Sequence, residues 1–212
     1  MTSDIQTLLG ANPSSDNISG FLKDLHLHSD ASSTAPEVKS YSDAVYFNYY
    51  TLGISLLFIP QKGYKLSSGV KREQLKDDSL VLDSINIYNS PKPKEAPEKI
   101  STSRRTAELA FSTYPLSTWS LSISPEASAR NEFSMEISLT TTGKDFVSCL
   151  GEPDRKGGGA GPSSGSIGIW CEWSKHGIMV EFGGDESRGP QAWERGKDAV
   201  WKVITVFSPK QG

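Results

Sequence analysis

YFNYYTLGISLLF, residues 46–58, decides the reading of this chain because WCEWSKHGIMVEF, residues 170–182, repeats its pattern. With Gly53 laid on Gly177, Tyr46 meets Trp170, Tyr49 meets Trp173, Ile54 meets Ile178, Leu56 meets Val180 and Phe58 meets Phe182. Each copy alternates with period two on either side of its glycine, which predicts two strands joined by a tight turn. A second block follows each copy, VLDSINIY at 81–88 and VWKVITVF at 200–207, and reads as a third strand. Two matched blocks in the same order predict an internal duplication.

Helices precede both copies. Ser3 to Gln6 has capping-box spacing and opens a short helix that Gly10 ends. Ile18, Phe21, Leu22 and Leu25 recur at helical spacing and predict an amphipathic helix over 16–27. Thr142-Gly143-Lys144-Asp145 opens another, with Phe146, Val147 and Leu150 as its apolar side and Gly151 as its stop. FLKDL at 21–25 and FVSCL at 146–150 lie at nearly the same offset as the two hairpins. Trp119, Leu121 and Ile123 alternate, as do Phe133, Met135, Ile137 and Leu139, so two further strands are expected there. Residues 28–41 and 59–79 read as polar connections, and 90–105, rich in proline and charge, as a flexible linker.

The expected class is α+β: two tandem helix–hairpin–strand units forming one antiparallel sheet, with helices on one face. The boundaries are 1–89 for the first unit, 90–105 for the linker and 106–212 for the second, together one composite domain.

Composition narrows the function. The formal charge is −3, without the basic stripe of a dedicated nucleic-acid binder. No run of eighteen apolar residues suits a transmembrane helix, and the N-terminus lacks the apolar core of a secretory signal. Two cysteines, Cys149 and Cys171, make no disulfide framework, so a cytoplasmic, reducing location is expected.

The helix ending Thr141 to Pro153 (TTGKDFVSCLGEP), followed by an aromatic hairpin, resembles the SmpA/OmlA-type outer-membrane assembly lipoproteins. In its duplicated form the pattern is similar to the β-lactamase inhibitor protein group and to the phagosome assembly factors. The resemblance covers residues 16–88 and 133–208, without the lipoprotein signal or paired disulfides of the secreted relatives. It implies a binding or assembly role without chemistry, by analogy of fold.

Period two separates the faces. Val45, Phe47, Tyr49, Ile54, Leu56, Phe58, Ile85 and Ile87 share one face, and Ile169, Cys171, Trp173, Ile178, Val180, Phe182, Ile204 and Val206 are their counterparts. This side is expected to be core. The other side carries Tyr46, Asn48, Tyr50 and Tyr88, then Trp170, Glu172, Met179, Glu181, Trp201 and Phe207. Large aromatics with isolated polar groups suit a protein-binding surface, so these ten are the candidate partner-binding residues. A covering segment drawn from 106–139 or the linker, or a homodimer seam, would account for the same face.

No catalytic residue, metal ligand or cofactor is assigned. The alternative is an enzyme or a small-molecule or anion binder built on Glu172, Glu181 and the glycine-rich 157–168. That segment lacks the Gly-Lys-Ser/Thr ending of a phosphate-binding loop. His26, His28 and His176 have no third ligand at a metal-site spacing.

Overall fold

A computed structural model describes residues 5–30, 35–90, 110–123, 133–159 and 168–210. The predicted start of the first helix at Ser3, most of the linker 90–105, the polar stretch 124–132 and the centre of the glycine-rich segment lie outside these residues. The chain is a mixture of helix and antiparallel strand, and it divides into two compact units. The N-terminal unit is Leu8–Leu116; the C-terminal unit is Ser117–Gly212 with Met1–Thr7.

In the N-terminal unit, helix α1 (Asp16–Leu27) is capped by the Ser15 hydroxyl, which accepts from the Ile18 amide, and it buries Ile18, Phe21 and Leu25. Strands β1 (Glu37–Ser40), β2 (Val45–Tyr49), β3 (Ile54–Pro60) and β4 (Leu80–Tyr88) form an antiparallel meander in chain order. A 3₁₀ turn at Tyr50–Leu52 joins β2 to β3 and ends at Gly53 in the left-handed region. Only glycine enters that region without cost.

In the C-terminal unit, β5 (Thr118–Ile123) and β6 (Phe133–Ser138) form a separate hairpin. Helix α2 (Gly143–Leu150) follows, closed at its start by the Asp145 carboxylate, which accepts from both the Thr142 amide and its hydroxyl at 2.7 Å. Strands β7 (Arg155–Gly157), β8 (Trp170–Trp173), β9 (Ile178–Phe182) and β10 (Trp201–Phe207) form the second antiparallel meander. A 3₁₀ turn at Ser174–His176 and left-handed Gly177 join β8 to β9. A short helix, α3 (Ala192–Arg195), lies between β9 and β10.

All sixteen residues assigned to the core face by alternation are buried. Helix α2 packs on that face in its own unit, with the Phe146 ring 6.1 Å from both Trp173 and Phe182. The start of α2 also lies close against the 3₁₀ turn Gly196–Asp198, because Gly143 has no side chain; an added Cβ would strike the Gly196 carbonyl.

Two short strands, β1 and β7, fall where the sequence suggested only connections. Both are edges carrying charge, Glu37 and Lys39 in one and Arg155 and Lys156 in the other. Charged, short edge strands discourage further pairing, and the same composition hides them from hydrophobic alternation. Phe111 and Tyr114 pack with the N-terminal unit: the Ser112 amide donates to the Tyr50 carbonyl and the Tyr114 amide to that of Tyr88, at 2.8 and 2.9 Å.

Candidate protein-interaction face

The side of each meander opposite the core is arranged in cross-strand rows. In the N-terminal unit one row is Glu37, Asn48, Ser55 and Asn86, and its neighbour begins Lys39, Tyr46 and Leu57. In the C-terminal unit the rows are Arg155, Glu172, Met179 and Thr205, then Gly157, Trp170, Glu181 and Val203.

The polar residues of these rows are occupied with one another. Ser55 donates to Asn48 Oδ1 at 2.7 Å, and both side chains are buried. Glu172 is 6 % exposed, far less than a rim glutamate would be. It accepts from the Ser174 hydroxyl at 2.7 Å and pairs with Arg155 and Lys210, each at 3.3 Å. Burial alone would push its carboxyl up; the Ser174 hydroxyl, Lys210 and Arg155 outweigh that and hold it below the usual carboxylate range. Glu172 is therefore a fixed anion with both oxygens engaged, not a group awaiting a proton. Glu181 lies on the same side, opposite Trp170, and is half-buried.

Tyr46, Tyr50, Tyr88, Trp170 and Phe207 are all half-buried and differ in what lies against their rings. Phe111 stacks on Tyr88, centroids 3.8 Å apart and planes 7° apart, and tilts against Tyr50 at 4.6 Å. This corner is covered by the chain's own segment. Lys39 donates to the Tyr50 hydroxyl at 3.0 Å, which raises its ammonium pKa, helped by Glu37. At the matching corner of the C-terminal unit, Lys210 lies 5.1 Å over the Phe207 ring and its amide donates to the Ser174 carbonyl.

Away from those corners, Tyr46 and Leu57 are half-buried, as are Trp170, Met179 and Glu181. Tyr41 meets Tyr46 edge-on at 5.8 Å. The Trp170 indole lies flat over Gly157, where an added Cβ would approach ring atoms to 2.7 Å.

Simple alternation puts Trp201 on the binding side; in the fold it is 1 % exposed and its indole donates to the Ser138 carbonyl at 2.7 Å. The cause is a bulge: β10 pairs Trp201 with Phe182 and Val203 with Glu181, leaving Lys202 as the extra residue. An inserted residue inverts the alternation, so Trp201 faces the core. Strand β4 has the same irregularity, pairing Leu82 with Phe58 and Ser84 with Leu57.

Among the described residues, no group of three His, Cys, Asp or Glu side chains is placed to hold a metal ion. His28 lies at the end of α1, its Nδ1 2.8 Å from the Asp24 carbonyl oxygen. No helix among the described residues is long and apolar enough to cross a membrane. Cys149 and Cys171 are both free thiols.

The fold is thus of the α+β class, with antiparallel meanders whose polar side chains satisfy one another. Comparison with protein-family models, with curated proteins and with solved structures finds no match.

Proposed function

We propose that this chain is a non-enzymatic interaction or assembly module that captures a protein partner on the aromatic side of its strands. The observation that supports the reading is the division of labour on that side. The polar groups are consumed internally, in the Ser55–Asn48 bond and the Glu172 network, while Tyr46, Leu57, Trp170 and Met179 keep part of their area in water. A surface that spends its polar groups on itself and leaves aromatics partly open suits recognition through apolar area. The proposed contact centres on Tyr46 and Leu57 in one unit and Trp170 and Met179 in the other; Tyr50, Tyr88 and Phe207 are half-buried too, but Phe111 and Lys210 already pack on their rings.

We further infer that the two units descend from one helix–hairpin–strand ancestor of the kind that the resemblance to tandem assembly folds suggests. The supports are the paired 3₁₀ turns ending at Gly53 and Gly177 and the one-residue bulge shared by β4 and β10. A reducing, cytoplasmic setting fits the two free thiols.

The test is affinity capture from the native cell with the full chain, followed by binding of the purified captured protein to Y46A/W170A. Loss of binding with unchanged far-UV spectrum and melting supports the reading. Full binding by this double variant, or its unfolding, would reject it. Loss of one such central aromatic contact costs about 2 kcal/mol or more.

A further inference from the structure

The C-terminal unit contains a cavity of about 300 Å³ on the helix side of its strands, opposite the face discussed above. Its floor is Ile169, Cys171 and Phe182, all from the core face of the strands. Burial pushes the Cys171 thiol up to about 11, so at neutral pH it is a neutral, apolar floor element. Val147 of α2 and Trp193 of α3 form the walls. Both are exposed, at 36 % and 45 %, although large hydrophobic side chains are usually withdrawn from water. The mouth carries Lys144, Lys156 and Lys197 against a single acid, Glu152. Lys156 lies 5.6 Å over the Trp193 ring, so one cation and the aromatic wall are held together at the entrance. Glu172 does not line the cavity, so it is separate from the carboxylate network.

An apolar floor, two exposed apolar walls and a net positive mouth make a complementary set for one kind of molecule. We propose that this cavity binds a small amphipathic anion, a single ring or short aliphatic chain carrying one carboxylate or sulfonate. Its volume sits at the lower limit of ligand pockets, ~300–1,000 Å³, which favours a compact body over a long lipid or a peptide. The apolar part replaces water over Ile169, Phe182 and Trp193. The anionic head meets the lysines, where a partly desolvated site strengthens attraction relative to bulk water.

The experiment uses the full chain and two probes followed by isothermal titration calorimetry, 4-ethylbenzenesulfonate and octanoate. The sulfonate binds saturably at one site, and octanoate displaces it while 1-octanol does not. Val147 is exposed, so V147E and V147K fold; V147E weakens octanoate by about tenfold and V147K binds at least as tightly as the native chain. K156Q/K197Q weakens octanoate by about fivefold or more with unchanged melting temperature. Displacement by octanol as effective as by octanoate, or native affinity in both V147E and K156Q/K197Q, overturns the proposal. So does failure of both probes to bind at about 1 mM, an affinity near −4 kcal/mol. Because the cavity lies on the other side of the strands, Y46A/W170A retains octanoate binding whether or not it loses a protein partner.

Discussion

Gly53 and Gly177 hold the same left-handed conformation at the same place in two hairpins, φ 61° and ψ 33° against φ 67° and ψ 38°. Each carbonyl accepts from the end of the third strand, Tyr88 donating at 2.9 Å and Phe207 at 2.8 Å. Neither site has room for a side chain: at Gly53 an added Cβ would lie 2.7 Å from the Tyr114 amide, and at Gly177 3.1 Å from the Pro209 nitrogen. G53A and G177A are each expected to destabilise the chain by about 2 kcal/mol or more, from conformational strain plus the collision. Urea unfolding followed by far-UV circular dichroism measures this; a loss below about 0.5 kcal/mol, the range of ordinary surface changes, would contradict it.

Glu172 links stability to acid. Its carboxyl is held below the usual range in the fold, so its stabilising contribution is complete above the unfolded-state value, near 4.3, and disappears as pH falls through the lower, folded value. E172Q is expected to cost about 1 kcal/mol at pH 7, discounted because Arg155 and Lys210 are largely exposed. The gap between native and E172Q unfolding midpoints should narrow progressively as pH falls below about 4.3. A gap that stays constant through the acid range in which the chain remains folded would show the carboxylate charge to be irrelevant.

Trp201 is expected to behave as core. W201A should lose about 3–5 kcal/mol, as large aromatic truncations in interiors do. W201F should lose a smaller amount, about 1–2 kcal/mol, for the bond to Ser138 and the missing ring. Thermal melts of the two variants separate these expectations from a surface role, in which neither would move the midpoint.

The two thiols should react in sequence. Cys149 is half-buried, whereas Cys171 is buried with its thiol pushed up to about 11. Only about one Cys171 in a thousand is thiolate at pH 8, and the thiolate is the nucleophile. Iodoacetamide at pH 8 should label Cys149 first and Cys171 only after denaturation, as read by peptide mass spectrometry. Equal rates in the native chain would contradict this.

Much of this structure was legible in the chain because alternation is a local property. Helix α1, strand β4 and both hairpins fall where periodicity puts them, and every residue assigned to the core side is buried. The candidate face was less legible. Asn48, Glu172 and Trp201 sit in the candidate list beside Tyr46 and Trp170, yet those three are buried. Nothing within a strand tells that Tyr88 stacks against Phe111, since Phe111 follows Tyr88 by 23 residues. The cavity was invisible for the same reason: Val147, Ile169 and Trp193 come from three separate stretches of the chain.

Periodicity and turn glycines by themselves determined which side of each strand is apolar and where each hairpin reverses. Those choices depend on neighbours two to four residues away. Tertiary structure alone decided what the second side offers. A one-residue bulge turned Trp201 inward, an edge strand brought Arg155 to Glu172, and returning segments laid Phe111 and Lys210 over the aromatic corners. Each depends on pairing between distant parts of the chain, where one inserted residue is enough to exchange a buried side chain for an exposed one.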